Sequence, residues 1–380
     1  MAKAKYAYNP KTKDWRAKRW DGTYNPDGSK HMKNIRSTKS SADLEKLIRE
    51  FERSLEEGRA VEFYGRSFVD YAWHWLAVAK SAKEKNTQAM YRNAIRAHLS
   101  FLSDVGLQDI RHSHFQQAIN NQLGHPRTCR IIQQTFTQII RMAVQDRLLP
   151  KSAVEDICTS ISLPKYVKPE KRALTPVEKA ALRAVSLDDR KAAFLNILYY
   201  CGLRRGEALA LTRFDFNFQK SLLSVTKSLI FVGNDSEVKP YPKSDHGIRK
   251  IPMPAELVRK IRPFVESSDG GLLFRNRRDD RITAAGYRRM WDSIINSLNL
   301  AAGYNPNARK NRGFPPIRDL TAHVFRHNFC SNLCYQVPEI SIKKIAELLG
   351  DTEKMVLDVY NHIISEKENP VEAMEKALAL

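Results

Sequence analysis

Two arginines, a lysine, a histidine and a tyrosine recur through the second half of the chain in an order compatible with a single reaction centre. "LDVYNH" carries Tyr360 with His362 two residues on, and a tyrosine taken alone is more often an aromatic anchor than a nucleophile. "CGLRRGEALAL" sets Arg204 at a helix start just after a glycine, with Glu207 three residues later on the same face. A guanidinium held from behind by a carboxylate is oriented to fork onto phosphate oxygens, although the same spacing alone describes a surface ion pair. "LTAHVFRHNFCSNLC" opens on a capping Thr321 and places His323 and Arg326 one turn apart. An imidazole beside a second guanidinium suits proton movement at a phosphoryl centre. His327 points elsewhere and reads as structural. His323, His327, Cys330 and Cys334 could be read as a metal site. Against that, no carboxylate motif accompanies the histidines, and cysteines four apart on a helix usually pack in a core. "YPKSDHGIRKIPMP" puts Lys243 in the turn of a hairpin, where an ammonium can protonate a leaving oxygen or stand as one exposed lysine among many.

Such groups work only if the fold brings them together, and the apolar periodicity predicts a mainly α chain with small β elements in three domains. Residues 1–60 read as a small three-stranded sheet plus one helix. "DWRAKRW" and "KHMKNIRS" are strands around the turn-forming "DGTYNPDGS", and the helix "SADLEKLIREFERSLEEG" carries Leu44, Leu47, Ile48, Phe51 and Leu55 on one face. Trp15 and Trp20 read as core aromatics. Residues 66–160 are wholly helical: "TQAMYRNAIRAHLSFLSDVG" aligns Tyr91, Ile95, Leu99 and Leu102, and "CRIIQQTFTQIIRMAVQDRLLP" aligns Ile132, Phe136, Ile139, Ile140 and Ala143 before Pro150. The Pro- and Lys-rich 161–172 is a linker, and a new helix starts at Thr175-Pro176. Residues 173–380 mix helices with the β-rich "SLLSVTKSLIFV" and "HGIRKIPMP". They also hold a loop, "GYNPNARKNRGFPP", and a tail helix from Pro370 with Val371, Met374, Ala377 and Leu378 on one face.

Charge indicates what such a centre would act on. The chain has 63 Lys and Arg against 42 Asp and Glu, a formal net charge of +21, with 42% hydrophobic residues. That is a folded basic protein suited to a polyanionic partner, nucleic acid first. Residues 1–40 hold eight Lys and three Arg against three Asp. Arg16, Lys18, Arg19, Lys30, Lys33 and Arg36 are the candidate phosphate contacts there. Five cysteines without paired spacing suit a reducing compartment, and neither a signal peptide nor a membrane-spanning run is apparent. A cytoplasmic protein is expected.

In order and spacing, "GLRRGE", "HVFRH" and "LLGD…LDVYNH" resemble the first arginine motif, the H-x-x-R-H box and the tyrosine box of the tyrosine recombinase (phage integrase) family. The match covers about 171–365. More loosely, the whole layout is similar to phage and conjugative-transposon integrases that carry an N-terminal arm-site-binding domain. The resemblance implies a helical core-binding domain at 66–160 and a catalytic domain at 173–380. Its catalytic set is Arg204, Lys243, His323, Arg326 and Tyr360, with Glu207 orienting Arg204. It implies cleavage and rejoining of double-stranded DNA through a 3′-phosphotyrosine, at core and arm attachment sites, by a homotetramer in a bacterial host cell. An excisionase or a host DNA-bending protein would assist. The absence of a Walker-type loop or an acidic Mg²⁺ cluster from the sequence fits a reaction without cofactor. A Xer-like resolvase and a non-catalytic DNA-binding relative are the alternatives.

Two positions depart from the family pattern. Asn328 stands where threonine is frequent, and Asp351 stands where histidine or tryptophan usually contacts the phosphate. A carboxylate there is expected to repel a phosphate unless it is protonated or turned away.

Overall fold

The computed structural model describes residues 5–24, 30–56, 67–167, 172–240, 247–276, 280–305 and 314–367. The chain divides into two compact units, Met1–Lys168 and Pro169–Leu380.

The first unit begins with an antiparallel sheet of β1 (Tyr8–Asn9), β2 (Asp14–Tyr24) and β3 (Lys30–Ser37), followed by helix α1 (Ser41–Glu56), which packs on β2 and β3. The β2 strand runs through Asp21-Gly22-Thr23, which the sequence reading gave to the turn. Opposite Trp20–Met32 and Tyr24–Lys30 its register shifts, so a bulge carries the strand past the glycine. Leu44, Ile48 and Phe51 form the buried stripe of α1. Trp15 is half-buried against Tyr8. Trp20 is 37% exposed, because period-2 alternation puts it on the sheet face away from α1.

A helical bundle follows: α2 (Phe68–Ala79), α3 (Lys85–Asn93), α4 (His112–Asn120), α5 (Pro126–Gln145) and α6 (Ala153–Cys158). Its core stacks Phe68 and Phe115 on Phe136 at ring-centroid distances of 4.7 and 4.1 Å. Tyr71, on α2, donates to Asp146 at 2.5 Å, just past α5. The helix expected to run on to Gly106 instead changes pitch after α3, into a π turn at Ala94–Leu99 and a 3₁₀ turn at Ser100–Leu102. The pitch change still leaves Ile95, Leu99 and Leu102 buried.

The second unit opens with α7 (Pro176–Ala184), α8 (Asp189–Cys201) and the short α9 (Arg205–Leu209). Thr175 caps α7 in a capping box with Glu178 and Pro176 at the first turn. Three strands, β4 (Phe216–Asn217), β5 (Leu222–Val225) and, at the end of the β region, β8 (Arg249–Pro252), form one sheet. Between β5 and β8 lies a separate hairpin of β6 (Ser228–Val232) and β7 (Asp235–Lys239). The continuous "SLLSVTKSLIFV" is therefore split between two sheets. Helices α10 (Ala255–Glu266), α11 (Ala284–Ala301), α12 (Ala322–Cys334), α13 (Ile342–Leu349) and α14 (Glu353–Lys367) complete the unit.

Phe194, Phe274, Trp291 and Phe325 belong to the main core of this unit, with Trp291 Nε1 donating to the Leu320 carbonyl at 3.0 Å. A satellite cluster of Cys330, Cys334, Ile345, Leu349, Val356, Val359 and Ile363 joins α12, α13 and α14. Most of the loop "GYNPNARKNRGFPP", at 306–313, and the tail from residue 368 lie outside the described residues.

Gly202 ends α8 with φ +59, and a Cβ built on it would lie 2.5 Å from Phe329 Cδ1. Gly202→Ala is expected to lower stability by about 1–3 kcal/mol in urea unfolding. Gly233→Ala, also at positive φ (+64) but facing open space, should cost only the backbone strain of about 1–2 kcal/mol.

Candidate active site

The α8–α9 turn fixes the first arginine. Arg204 is the N-cap of α9 and Glu207 its third residue. The Arg204 backbone N–H donates to Glu207 Oε2 at 2.9 Å, and its Nη1 donates to Oε1 at 2.9 Å. This is not an exposed ion pair, because the Glu207 side chain is 1% exposed. The neighbouring Arg205 turns the other way, with its guanidinium 5.1 Å from the ring centroids of both Phe231 and Tyr287. Only one of the two adjacent arginines therefore joins the site.

Glu207 is held from its other side by Arg249, a residue the sequence reading did not single out. Arg249 Nη2 donates to Glu207 Oε2 at 2.9 Å, Nε to the Leu348 carbonyl at 2.8 Å and Nη1 to the Gly247 carbonyl at 2.9 Å. Its signal was strand alternation: Arg249 and Ile251 face inward on β8, whereas Ile248, the apolar residue a reader would bury, is 62% exposed. Burial works against ionisation of Glu207. The charge and hydrogen bond of Arg249, followed by the backbone N–H and charge of Arg204, overcome it and hold the carboxyl below its ordinary range.

Arg326 enters from α12. Its side chain is 3% exposed, with Nη1 donating to the Gly202 carbonyl at 3.1 Å and Nη2 to Asp351 Oδ2 at 2.9 Å. Burial, then the charge of Arg204, pushes the Arg326 guanidinium down to about 10, so it is charged at neutral pH. Arg204 Nη2 donates to the same Asp351 Oδ2 at 3.0 Å and to the Gly350 carbonyl at 3.0 Å. Two guanidiniums from distant stretches of the sequence thus meet on one carboxylate oxygen. Burial of Asp351 opposes its ionisation, but the hydrogen bond and charge of Arg326 and the charge of Arg204 lower its carboxyl below the usual range.

The structure shows which cations surround Asp351. This carboxylate is turned towards the site, and its neighbours hold it below its ordinary range. It lies in the arginine fork, because two positive charges within hydrogen-bond reach outweigh its desolvation.

The structure gathers Arg204, Glu207, Arg326 and Asp351. Tyr360 lies on α14, partly buried against the Cys330–Ile363 cluster. His323 is an exposed residue of the first turn of α12. Lys243 lies outside the described residues. Thr321 is the α12 N-cap residue but makes no side-chain cap hydrogen bond. Of the four residues of the metal reading, Cys330 and Cys334 are buried in the satellite cluster, and His327 Nδ1 is 3.4 Å from Ser331 Oγ. Asn328, fully buried, accepts from the Leu174 N–H at 3.3 Å and so ties α12 to the residue before the α7 cap.

The basic candidates of the first unit split between two faces. Arg16, Lys18 and Arg36 are exposed on the face that also carries Trp20 and Met32, with Arg16 opposite Arg36 in register. Arg19 and Lys33 turn to the α1 face. Arg19 donates to Glu52 at 3.0 Å, and Lys33 lies 5.7 Å from the Phe51 ring centroid. Long stems cover the helix while their charged heads find acid or aromatic partners. Lys30 opens β3, and its side chain lies outside the described residues.

Arg249→Met leaves the buried Glu207 carboxylate with Arg204 alone, and it is expected to cost about 3–5 kcal/mol in urea unfolding. Glu207 and Asp351 both have lowered pKa values in the fold. Their stabilising contribution is therefore complete above the unfolded carboxylate range and is lost as pH falls through the folded values. The unfolding midpoint should drop as pH is lowered from about 5 towards 3, and Glu207→Gln should reduce that slope.

The Phage integrase family profile matches residues 174–367, from just before α7 to the end of α14. A tyrosine recombinase XerC-like protein of Caldanaerobacter subterraneus subsp. tengcongensis is 24% identical over 380 residues, covering 89% of each chain. A putative prophage phiRv2 integrase of Mycobacterium tuberculosis is also 24% identical, over 95% of this chain and 93% of its own. Among solved structures, the Tn1549 transposon integrase in complex with transposon right end DNA superposes with a TM-score of 0.62 at 19% identity. It covers 83% of this chain and all of its own. A lambda integrase tetramer bound to a Holliday junction gives 0.55 at 15% identity, covering 93% of each. The family profile takes in both arginines, the histidine box and the tyrosine, and so the chain belongs to the phage integrase family: it is a tyrosine-type site-specific recombinase.

Proposed function

We propose that the chain integrates and excises a mobile element, such as a prophage or transposon, with Arg204, Lys243, His323, Arg326 and Tyr360 as its catalytic set. The observation that carries this reading is the convergence of the Arg204 and Arg326 guanidiniums on one anionic oxygen at a partly open position. That arrangement suits a phosphodiester, whose non-bridging oxygens gain charge in the transition state.

In this reading the Tyr360 phenolate oxygen attacks phosphorus. The P–O5′ bond breaks, and the 5′-oxygen leaves as a hydroxyl with a proton from Lys243. His323 assists proton movement at Tyr360 or the phosphate, and Glu207 positions Arg204. The phosphoryl group passes from one ester to another, so the phosphotyrosine keeps the bond energy and the reverse attack by a 5′-hydroxyl reseals a strand. The balance requires neither a nucleotide nor a redox partner.

The open sheet face with Arg16, Lys18 and Arg36 supports a second DNA contact, at arm sites, apart from the core site. This favours an integrase over a Xer-like resolvase, although Xer-named relatives are similar along most of the chain. The lambda integrase was solved as a tetramer on a Holliday junction, and a homotetramer on paired sites is the working form proposed here. An excisionase or a host DNA-bending protein would set direction.

A suicide duplex nicked beside the crossover should give a covalent adduct with the native chain and none with Tyr360→Phe. An unchanged adduct yield in that variant would reject Tyr360 as the nucleophile. Removing residues 1–60 should abolish arm-site binding and spare core-site cleavage. Loss of both activities would contradict the modular reading.

A further inference from the structure

The Asp351 carboxylate occupies the position that the proposed function assigns to a DNA phosphate. One of its oxygens, Oδ2, accepts from Arg204 Nη2 at 3.0 Å and from Arg326 Nη2 at 2.9 Å, as a non-bridging phosphate oxygen would. The other nitrogen of each fork is already committed: Arg204 Nη1 to Glu207 and Arg326 Nη1 to the Gly202 carbonyl. Both Nη2 groups meet at the carboxylate, and it lies on the accessible side. The Asp351 side chain is 26% exposed and Arg204 29%, against 3% for Arg326. An oxyanion arriving from solvent therefore meets Asp351 before it meets the buried guanidinium.

Position in the chain gives this contact a second consequence. Asp351 directly follows Gly350, the left-handed cap that ends α13 (φ +64), and stands two residues before α14, which carries Tyr360. Its Oδ1 accepts from the Thr352 N–H at 3.1 Å, a partner it can keep while Oδ2 leaves the arginines. The Arg204–Gly350 hydrogen bond would hold the hinge while the carboxylate rotates. From Glu353 to Tyr360 the helix rises about 10 Å, so a change at Asp351 acts at the root of the helix bearing the tyrosine.

We propose that Asp351 is a positioning residue that holds Arg204 and Arg326 in register as an internal substitute for the scissile phosphate, and that the phosphate must displace it to be bound. The step makes and breaks no covalent bond. One anion replaces another on two guanidiniums, and the displaced carboxylate passes to water and to the first N–H groups of the following turn. Asp351 thereby weakens first capture of the phosphodiester while keeping two like charges from driving their side chains apart in the DNA-free chain. The proposal rests on the recombinase reading for the identity of the ligand, but the seat itself is a property of the arginines.

Tungstate, a tetrahedral oxyanion, separates the two ideas because its binding requires no strand cleavage. With the full-length chain at fixed pH and ionic strength, calorimetric titration of Asp351→Asn should show tungstate binding about tenfold or more tighter than the native chain. Asp351→Glu should remain weak, and adding Arg204→Gln to Asp351→Asn should remove the gain. With nicked suicide duplex as the substrate, Asp351→Asn should lower the half-saturating DNA concentration by more than it changes the rate at saturation. Equal tungstate affinity in the native chain and Asp351→Asn would overturn the proposal, as would a gain that survives Arg204→Gln. A fall in melting temperature with no gain in affinity would reduce Asp351 to a scaffold contact and would equally overturn it. Failure of Tyr360 to form an adduct would sink the recombinase mechanism and leave the tungstate result standing.

Discussion

Glu207 is a carboxylate with 1% of its side chain exposed, and it survives in the fold because Arg249 and Arg204 close on it from two sides. An isolated buried carboxylate would neutralise itself or unfold its surroundings. This one instead dictates where three parts of the chain must lie. Arg204 comes from the turn after α8, and Arg249 comes from β8. Through its Nε, Arg249 also fixes the last turn of α13 at the Leu348 carbonyl. Two and three residues further on are the Gly350 carbonyl and Asp351, both hydrogen-bonded to Arg204. The geometry of the anion seat is thus inherited from a buried ion network that lies behind it and need not touch DNA.

Helix α12 links this network to the tyrosine helix, with different faces serving different ends. Arg326 turns inward to the Gly202 carbonyl and Asp351. Cys330 and Cys334, one and two turns further along, are buried among apolar residues of α13 and α14. The tyrosine helix is therefore seated on the same rigid element that supplies the second arginine. Gly202 is needed for a related reason. Its left-handed turn ends α8, brings its carbonyl to Arg326 and leaves the phenyl ring of Phe329 no room for a side chain. Residues that position the reactive groups are here decided by packing and backbone geometry rather than by their own chemistry.

This division explains what the sequence made legible. The amphipathic helices of the bundle announced themselves by period, and α7 by Thr175, Pro176 and Glu178, because local rules govern those features. Arg204, Glu207 and Arg326 were legible as residue types in an order. Arg249 was not, since a lone arginine on a short strand reads as a solvent-facing charge until the register shows it facing inward. Asp351 was visible as a departure, and charge alone says that a carboxylate opposes a phosphate there, but the sequence does not show which cations stand next to it. In the first unit both faces of the sheet carry basic residues, so charge could not say which would meet α1. Phe51 and Glu52 settle that for Lys33 and Arg19.

The electrostatics of the whole chain and of the seat differ in kind. The formal charge of +21 provides a diffuse attraction to any polyanion, strong at long range and indifferent to sequence. Within the seat, Arg204, Arg249 and Arg326 face Glu207 and Asp351, three positive charges against two negative, a residual of one. Free of DNA, the fork is nearly neutral and both of its Nη2 groups donate to Asp351. Non-specific contact with the protein surface therefore does not by itself place a phosphate between the arginines, because the approaching anion must outcompete a carboxylate that is covalently tethered and already aligned. A phosphodiester held by neighbouring backbone contacts gains the effective concentration to do so, whereas one in passing contact does not. Attraction over the surface and admission to the seat thus become separate steps, and the boundary between them is a single aspartate.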